Sequence, residues 1–218
     1  MDPAPPRLTD RARSFVAVHG VRLPQPPPDR AWWREHGIPE PVVDRMAAYQ
    51  QTWGGLVLPP ANGYEGGPKP FCADVPEQDE EGWWFCAGDQ RASVPFAFWI
   101  GPDDSFCLTG GARATPLYAS VEGWVESLAL AHHATRWARR TTKLSGTEAD
   151  ALDLAGFEPV PEVQGRADTW WRGPDSLIEV HRGEYECFRP PGGGRHEGAR
   201  TALVYEGLDR WGLGLPPR

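Results

Sequence analysis

Val42, Met46, Tyr49 and Trp53 recur at intervals of four, three and four, which places them on one face of an α-helix spanning about 39–53. Pro39 or Pro41 suits its first turn, where a missing N–H has no partner to lose. Gly54-Gly55 supplies the left-handed residue that ends such a helix. A second stripe, Val121, Trp124, Val125, Leu128, His132 and Thr135, predicts a helix with Ser120 as its N-cap. Leu130, Ala134 and Trp137 form another apolar stripe on it, so this helix is expected to be covered on two sides. Arg136, Arg139 and Arg140 suit its negative C-terminal end. A short third helix is expected to be capped by Thr147, with Asp150 three residues on and Gly156 as its stop.

Between these helices the pattern turns to strands. Positions 56–58 are a short apolar run stopped by Pro59-Pro60, 83–87 are aromatic, and 94–100 are nearly all apolar. The turn at 101–105 joins that run to 106–108 as a hairpin. After position 156 the chain reads as antiparallel β, with strands at 170–172, 177–182, 184–188 and 201–205 and turns at Gly173-Pro174 and Gly183. Alternation is expected to turn Val180, Tyr185 and Cys187 inward and Glu179, Glu184 and Glu186 to water. Residues 1–37 read as an arm, stiffened by PQPPP at 24–28, in which Asp29 caps a short turn carrying Trp32 and Trp33. Positions 62–76 read mostly as loop and 189–198 as a flexible loop. No repeat of solenoid period is present.

Composition narrows the class. The chain has 218 residues, enough to bury a core, and its 25 Gly and 24 Pro call for many turns. Its negative mean hydropathy comes with 11 Trp, so it reads as loop-rich and globular rather than disordered. Arg outnumbers Lys twenty to two, a usage that matches GC-rich genomes such as those of actinobacteria. The net charge is −8, and residues 1–132 carry 17 acids against 10 bases. Phosphate backbones repel such a surface, which argues against nucleic acid and for a basic partner. The N-terminus lacks the pattern of a signal peptide, and no apolar run approaches membrane-spanning length, so the expectation is a cytoplasmic protein with no membrane association.

Few residues read as chemistry. Cys72, Cys86, Cys107 and Cys187 show no metal-knuckle or redox spacing, and no cofactor or metal site is expected. His132 and His133 are adjacent on a helix and point apart, which makes a core role for His132 the better reading than metal binding. Asp89 and Arg91 read as a pair holding a turn. The three glycines at 192–194 lack the Lys-Ser/Thr of a phosphate loop. Ser120, Ser145 and Ser176 lack the surroundings of a nucleophile elbow. The acidic run at 74–81 has five acids in eight residues and sits beside Trp83 and Trp84, one of which alternation leaves outside. Charge beside flat apolar area suits a protein interface.

Taken in order, the helix ending in Trp53-Gly54-Gly55-Leu56, the aromatic strand, the hairpin at Ile100-Gly101 and Asp103, and the helix over 120–130 resemble the SUKH superfamily, whose bacterial members are mostly immunity proteins. The resemblance covers about residues 38–140; Asp104 stands where the family usually has glycine, and the region after Thr142 departs from the family's usual end. It implies an α+β fold, with a mostly antiparallel sheet and helices packed on one face, plus a small β-rich C-terminal extension. The expected organisation is an arm over 1–37, a core over 38–142 and an extension over 143–218. It also implies a non-enzymatic protein that neutralises a cognate toxin, such as a basic nuclease domain, by covering its active surface. The residues assigned to that contact are Asp79, Glu80, Glu81, Trp83, Trp84, Asp103 and Asp104. Two other readings stand beside it: a regulatory or scaffold module of the same fold, and an enzyme with its site between core and extension.

Overall fold

The segment expected to be an arm contains a helix. In the computed structural model, which describes residues 7–26, 29–110, 113–189 and 200–214, Thr9 caps α1 (Asp10–His19) by accepting from the Ala12 N–H, and Ala12, Phe15 and Val16 are buried. A two-residue strand, β1 (Val21–Arg22), pairs with β2 (Leu56–Val57). Asp29 caps α2 (Arg30–Glu35), which buries Trp33 and leaves Trp32 stacked on His36 at 3.8 Å. The helix α3 (Glu40–Trp53) buries Val42, Met46, Tyr49 and Trp53, the face its spacing predicts. Gly55 then takes a φ of +74, with its α-carbon packed on the Leu23 carbonyl, so a side chain there would be both strained and blocked.

Five strands follow as a meander: β3 (Pro68–Gln78), β4 (Trp83–Gln90), β5 (Ala97–Ile100), β6 (Phe106–Gly110) and β7 (Arg113–Tyr118). They hydrogen-bond in chain order, every pair antiparallel. One face carries Phe85, Phe98, Ile100, Phe106 and Leu108, all buried; on the other, Cys86 and Trp99 are half-buried, while Trp84 and Cys107 are buried as well. Tyr49 of α3 packs edge-on against Phe85. Trp124 of α4 (Val121–Trp137) stacks on Phe106 at 4.9 Å and touches the rings of Phe98, Tyr118 and Tyr64 at 5.8 to 6.3 Å. Ser120 caps α4 through the Gly123 N–H, as expected.

The C-terminal region forms a second antiparallel sheet with five strands, the same number as the first, where a small β-rich extension was expected. It is built from β8 (Arg140–Ser145), β9 (Glu158–Pro159), β10 (Thr169–Arg172), β11 (Ser176–His181) and β12 (Thr201–Glu206), in the spatial order β8-β12-β11-β10-β9. Two short helices, α5 (Thr147–Asp150) and α6 (Gly183–Phe188), interrupt it. One face carries Trp170, Leu177 and Tyr205 into the same apolar cluster as the first sheet. The other face, with Ile178, Val180 and Ala202, forms a smaller cluster with Ala149, Leu152 and Phe157.

That two-sided burial explains one correction. Glu179 was expected to face water and is only 3% exposed, because both faces of β11 are covered and alternation cannot distinguish them. Residues 184–188 were expected to be a strand and form α6 instead. The backbone N–H groups of Arg182 and Gly183 bond to the buried Asp168 carboxylate, at 2.9 and 3.0 Å, which turns the chain off the sheet. Arg139 and Arg140 were expected in the last turn of α4; the helix stops at Trp137, and Arg140 pairs with Glu206 across β8 and β12. Position 142, the expected end of the core, lies inside β8. The glycines at 192–194, most of the loop at 189–198, and Pro27 and Pro28 of the stiff linker lie outside the described residues.

On α4 the second stripe is buried at Leu130 and Ala134, whereas Trp137 was expected to be covered and is 48% exposed. Ser127 accepts a hydrogen bond from Trp170 Nε1 at 2.8 Å and lies 3.1 Å from the Tyr118 hydroxyl, so one helix residue touches both sheets. Trp124 is 3% exposed at the centre of this layer. Trp124→Ala is expected to destabilise the protein by about 3–5 kcal/mol, the usual cost of emptying a buried aromatic site. Urea denaturation followed by circular dichroism measures it, and a loss under 1 kcal/mol would show that the aromatic layer does not depend on this ring.

Candidate functional site

The acidic residues singled out in the sequence gather at one end of the first sheet. The β3–β4 turn is closed by Asp79, whose Oδ1 accepts from the Glu81 and Gly82 N–H groups at 2.8 and 3.1 Å. The β5–β6 turn is closed in the same manner by Asp103, which accepts from Ser105 Oγ at 2.5 Å. The two turns touch: a side-chain carbon on Gly82 would lie 3.1 Å from Pro102. Arg45 of α3 holds them together, donating to the carbonyl oxygens of Trp83 and Gly101 with its guanidinium over the Phe85 ring.

The carboxylates at this end differ in state. Asp104 pairs with Arg45 at 2.9 Å and Asp103 with Arg166 at 2.9 Å. Among the described residues, Asp79, Glu80 and Glu81 make no ion pair, and all three are exposed. Trp83 is half-buried. Trp84 was assigned to the contact and is 7% exposed, so it belongs to the core and is not available to a partner. Trp84 lies on the face of β4 opposite Phe85, and its ring is covered there by the β5–β6 turn at Gly101.

The remaining candidates resolve into structural roles. Arg91 binds the Leu58 carbonyl and not Asp89. Burial raises the Cys107 thiol to about 11, as suits a core residue. His132 was expected in the core and is exposed, its ring tilted against those of Phe15 and His19 at 5.4 and 4.3 Å. The partner that brings it there, α1, belongs to a segment in which no helix was expected. Among the described residues no group of three His, Cys, Asp or Glu side chains is placed to share a metal ion, and no helix is long and apolar enough to cross a membrane.

Sequence reasoning missed a buried ionic cluster between the two sheets. Asp168 and Glu179 are 1% and 3% exposed. The His181 ring lies between them, Nδ1 at 3.3 Å from Asp168 and Nε2 at 3.2 Å from Glu179. Burial by itself would lower the imidazole; the charge of Glu179 and the bond to Asp168 outweigh it and raise His181 to about 10. The outer oxygens are satisfied from both sides of the cluster. Tyr64 donates to Asp168 at 2.6 Å, Asn62 donates to Glu179 at 3.0 Å, and Tyr205 donates to Glu179 at 3.1 Å. Tyr64 and Glu65 hold φ values of 58 and 48, unusual for side-chain-bearing residues, in the loop that reaches across. Beside the cluster lies a cleft of about 840 Å³ between that loop, the inner face of the second sheet at Lys143 and Thr201, and α6. The one trace in the sequence is Glu179 and His181 two apart in an otherwise apolar strand, which places them on one face.

A histidine raised in the folded state stabilises fully below its unfolded value of about 6.5, and loses that contribution as pH rises toward 10. Stability is therefore expected to decline across that window. His181→Gln leaves two buried carboxylates without a cation, at a cost of about 3–5 kcal/mol, and is expected to flatten the decline. Denaturation midpoints measured from pH 6 to 10 check this; parallel slopes for the two proteins would refute it. No protein-family model matches the chain, and no curated protein or solved structure matches it either.

Proposed function

We propose that this chain is a non-enzymatic binding protein that docks a basic protein partner through the acidic end of its first sheet. The observation that carries this reading is the contact between the two turns. They bring Asp79, Glu80 and Glu81, with no cation of their own among the described residues, beside the half-buried Trp83 and the paired Asp103 and Asp104. Unpaired carboxylates on rigid turns attract a basic partner over long range and align it before contact. An antiparallel sheet with helices against it is compatible with the SUKH-like resemblance over about 38–140. On that resemblance the partner is a cognate toxin, such as a basic nuclease domain, and the mechanism is occlusion of its active surface in the cytoplasm. A regulatory or scaffold module would use the same surface for a host protein.

A second reading, an enzyme site between the sheets, is favoured by the cleft of about 840 Å³ beside His181. Against it, both ring nitrogens of His181 face buried carboxylates, which leaves neither to accept a proton from a substrate.

The test is co-expression with the product of the neighbouring reading frame. The two proteins are expected to co-purify at equal stoichiometry. Replacing Asp79, Glu80 and Glu81 together by Ser is expected to slow association about tenfold or more at low salt and to flatten its salt dependence. Association kinetics unchanged by the triple substitution would remove this surface from the interface, and retention of a host protein instead of the neighbour would favour the scaffold reading.

A further inference from the structure

The helix that the sequence hid creates a groove. α1 presents Arg11, Ser14, Phe15 and Val18 to it and α4 presents Ala129, His132, His133 and Trp137, each set at the spacing of one helical face. Trp211 closes one end. Its carbonyl lies 2.8 Å from His133 Nε2 and its ring 5.8 Å from the His133 ring. The enclosed volume is about 650 Å³, within the roughly 300–1,000 Å³ of small-molecule sites. Its walls leave Val18, Trp137 and Trp211 exposed at 69%, 48% and 57%, so apolar area is held open to water around one hollow.

The walls are largely rings, and among the described residues the charges at the groove are paired apart from one. Phe15, His19 and His132 pack on one another with tilted rings, and His133 touches both Trp137 and Trp211. Asp10 is paired with Arg13, and Glu162 with Arg11 and Arg172; Arg11 also reaches Glu126 at 3.3 Å. Arg136 lines the groove with no carboxylate partner among the described residues. Burial, with the neighbouring His19 and Arg136, lowers His132 below the ordinary histidine value, which leaves the Arg136 guanidinium as the cation at the groove without a carboxylate among the described residues.

We propose that the α1–α4 groove binds a small planar aromatic molecule carrying a carboxylate, its ring between the aromatic walls and its acid group on Arg136. Planar rings stack on Trp and His faces at low entropic cost, and a guanidinium with no partner is matched by a carboxylate in fork geometry. The site is separate from the acidic turns and does not depend on a protein partner.

The test is calorimetric titration of the full chain with 2-naphthoate and with the neutral 2-naphthalenemethanol. Naphthoate is expected to bind more tightly than the alcohol. Arg136→Gln is expected to weaken naphthoate about tenfold and leave the alcohol unchanged, and Trp211→Ala to weaken both about tenfold. Both positions are exposed, so circular dichroism is expected to show an unchanged fold. No binding of naphthoate at millimolar concentration, equal affinity for acid and alcohol, or naphthoate binding unchanged in both variants would each overturn the proposal.

Discussion

Two carboxylates buried between two sheets impose the main constraint on this protein. Asp168 and Glu179 are almost wholly removed from water, and one imidazolium, His181, lies between them. Such a set contributes little net stability when complete, yet breaking it is costly, because an uncompensated charge is then left in a low-dielectric interior. Its effect is therefore positional. Every oxygen needs a donor, and the donors come from distant places: Tyr64 and Asn62 from the loop before β3, Tyr205 from β12, and the N–H groups of Arg182 and Gly183. Satisfying them fixes the loop against the second sheet, launches α6, and shapes the cleft beside it.

The second organising element is α4, which lies between the sheets. Its Trp124 fills the aromatic layer of the first, and its Ser127 receives the indole N–H of Trp170 in the second. The helix buries eleven of its seventeen residues, so the face left over is narrow, and α1 borders it. The α1–α4 groove is thus a consequence of the fold: a helix already buried on two sides has only one side on which another helix can leave a hollow. The acidic turns are a separate outcome, set by strand lengths in the meander, which end β4 and β5 so that Gly82 and Pro102 meet.

How much of this was legible depended on whether a feature is local. The helix face of α3, the face of α4 as far as Ala131, the Ser120 cap and the Gly54-Gly55 stop were readable because periodicity and capping act within a few residues, whereas His132, Thr135 and Trp137 of the α4 stripes are exposed. The exposure of Asp79, Glu80 and Glu81 was readable for the same reason, since a polar run around a turn has no apolar face to bury. Glu179 was misread, and His181 was not singled out, because alternation separates two faces without saying which is covered, and here both are. Trp84 was assigned to the surface by the same ambiguity. α1 was missed because its apolar residues, Ala12, Phe15 and Val16, are few and follow a Pro-rich start.

The sequence by itself determined the class of the fold, an α+β protein with antiparallel strands and two amphipathic helices, and the acidic character of one surface. Those properties follow from side-chain periodicity and formal charge, which a linear chain displays. Only the tertiary structure decided that the C-terminal region forms a second full sheet, that α4 is shared between the sheets, that Asp168, His181 and Glu179 meet, and that His132 faces His19 in a groove. These depend on contacts between residues far apart in the chain. Their stability comes from desolvation and charge compensation, which exist only once the partners have been brought together.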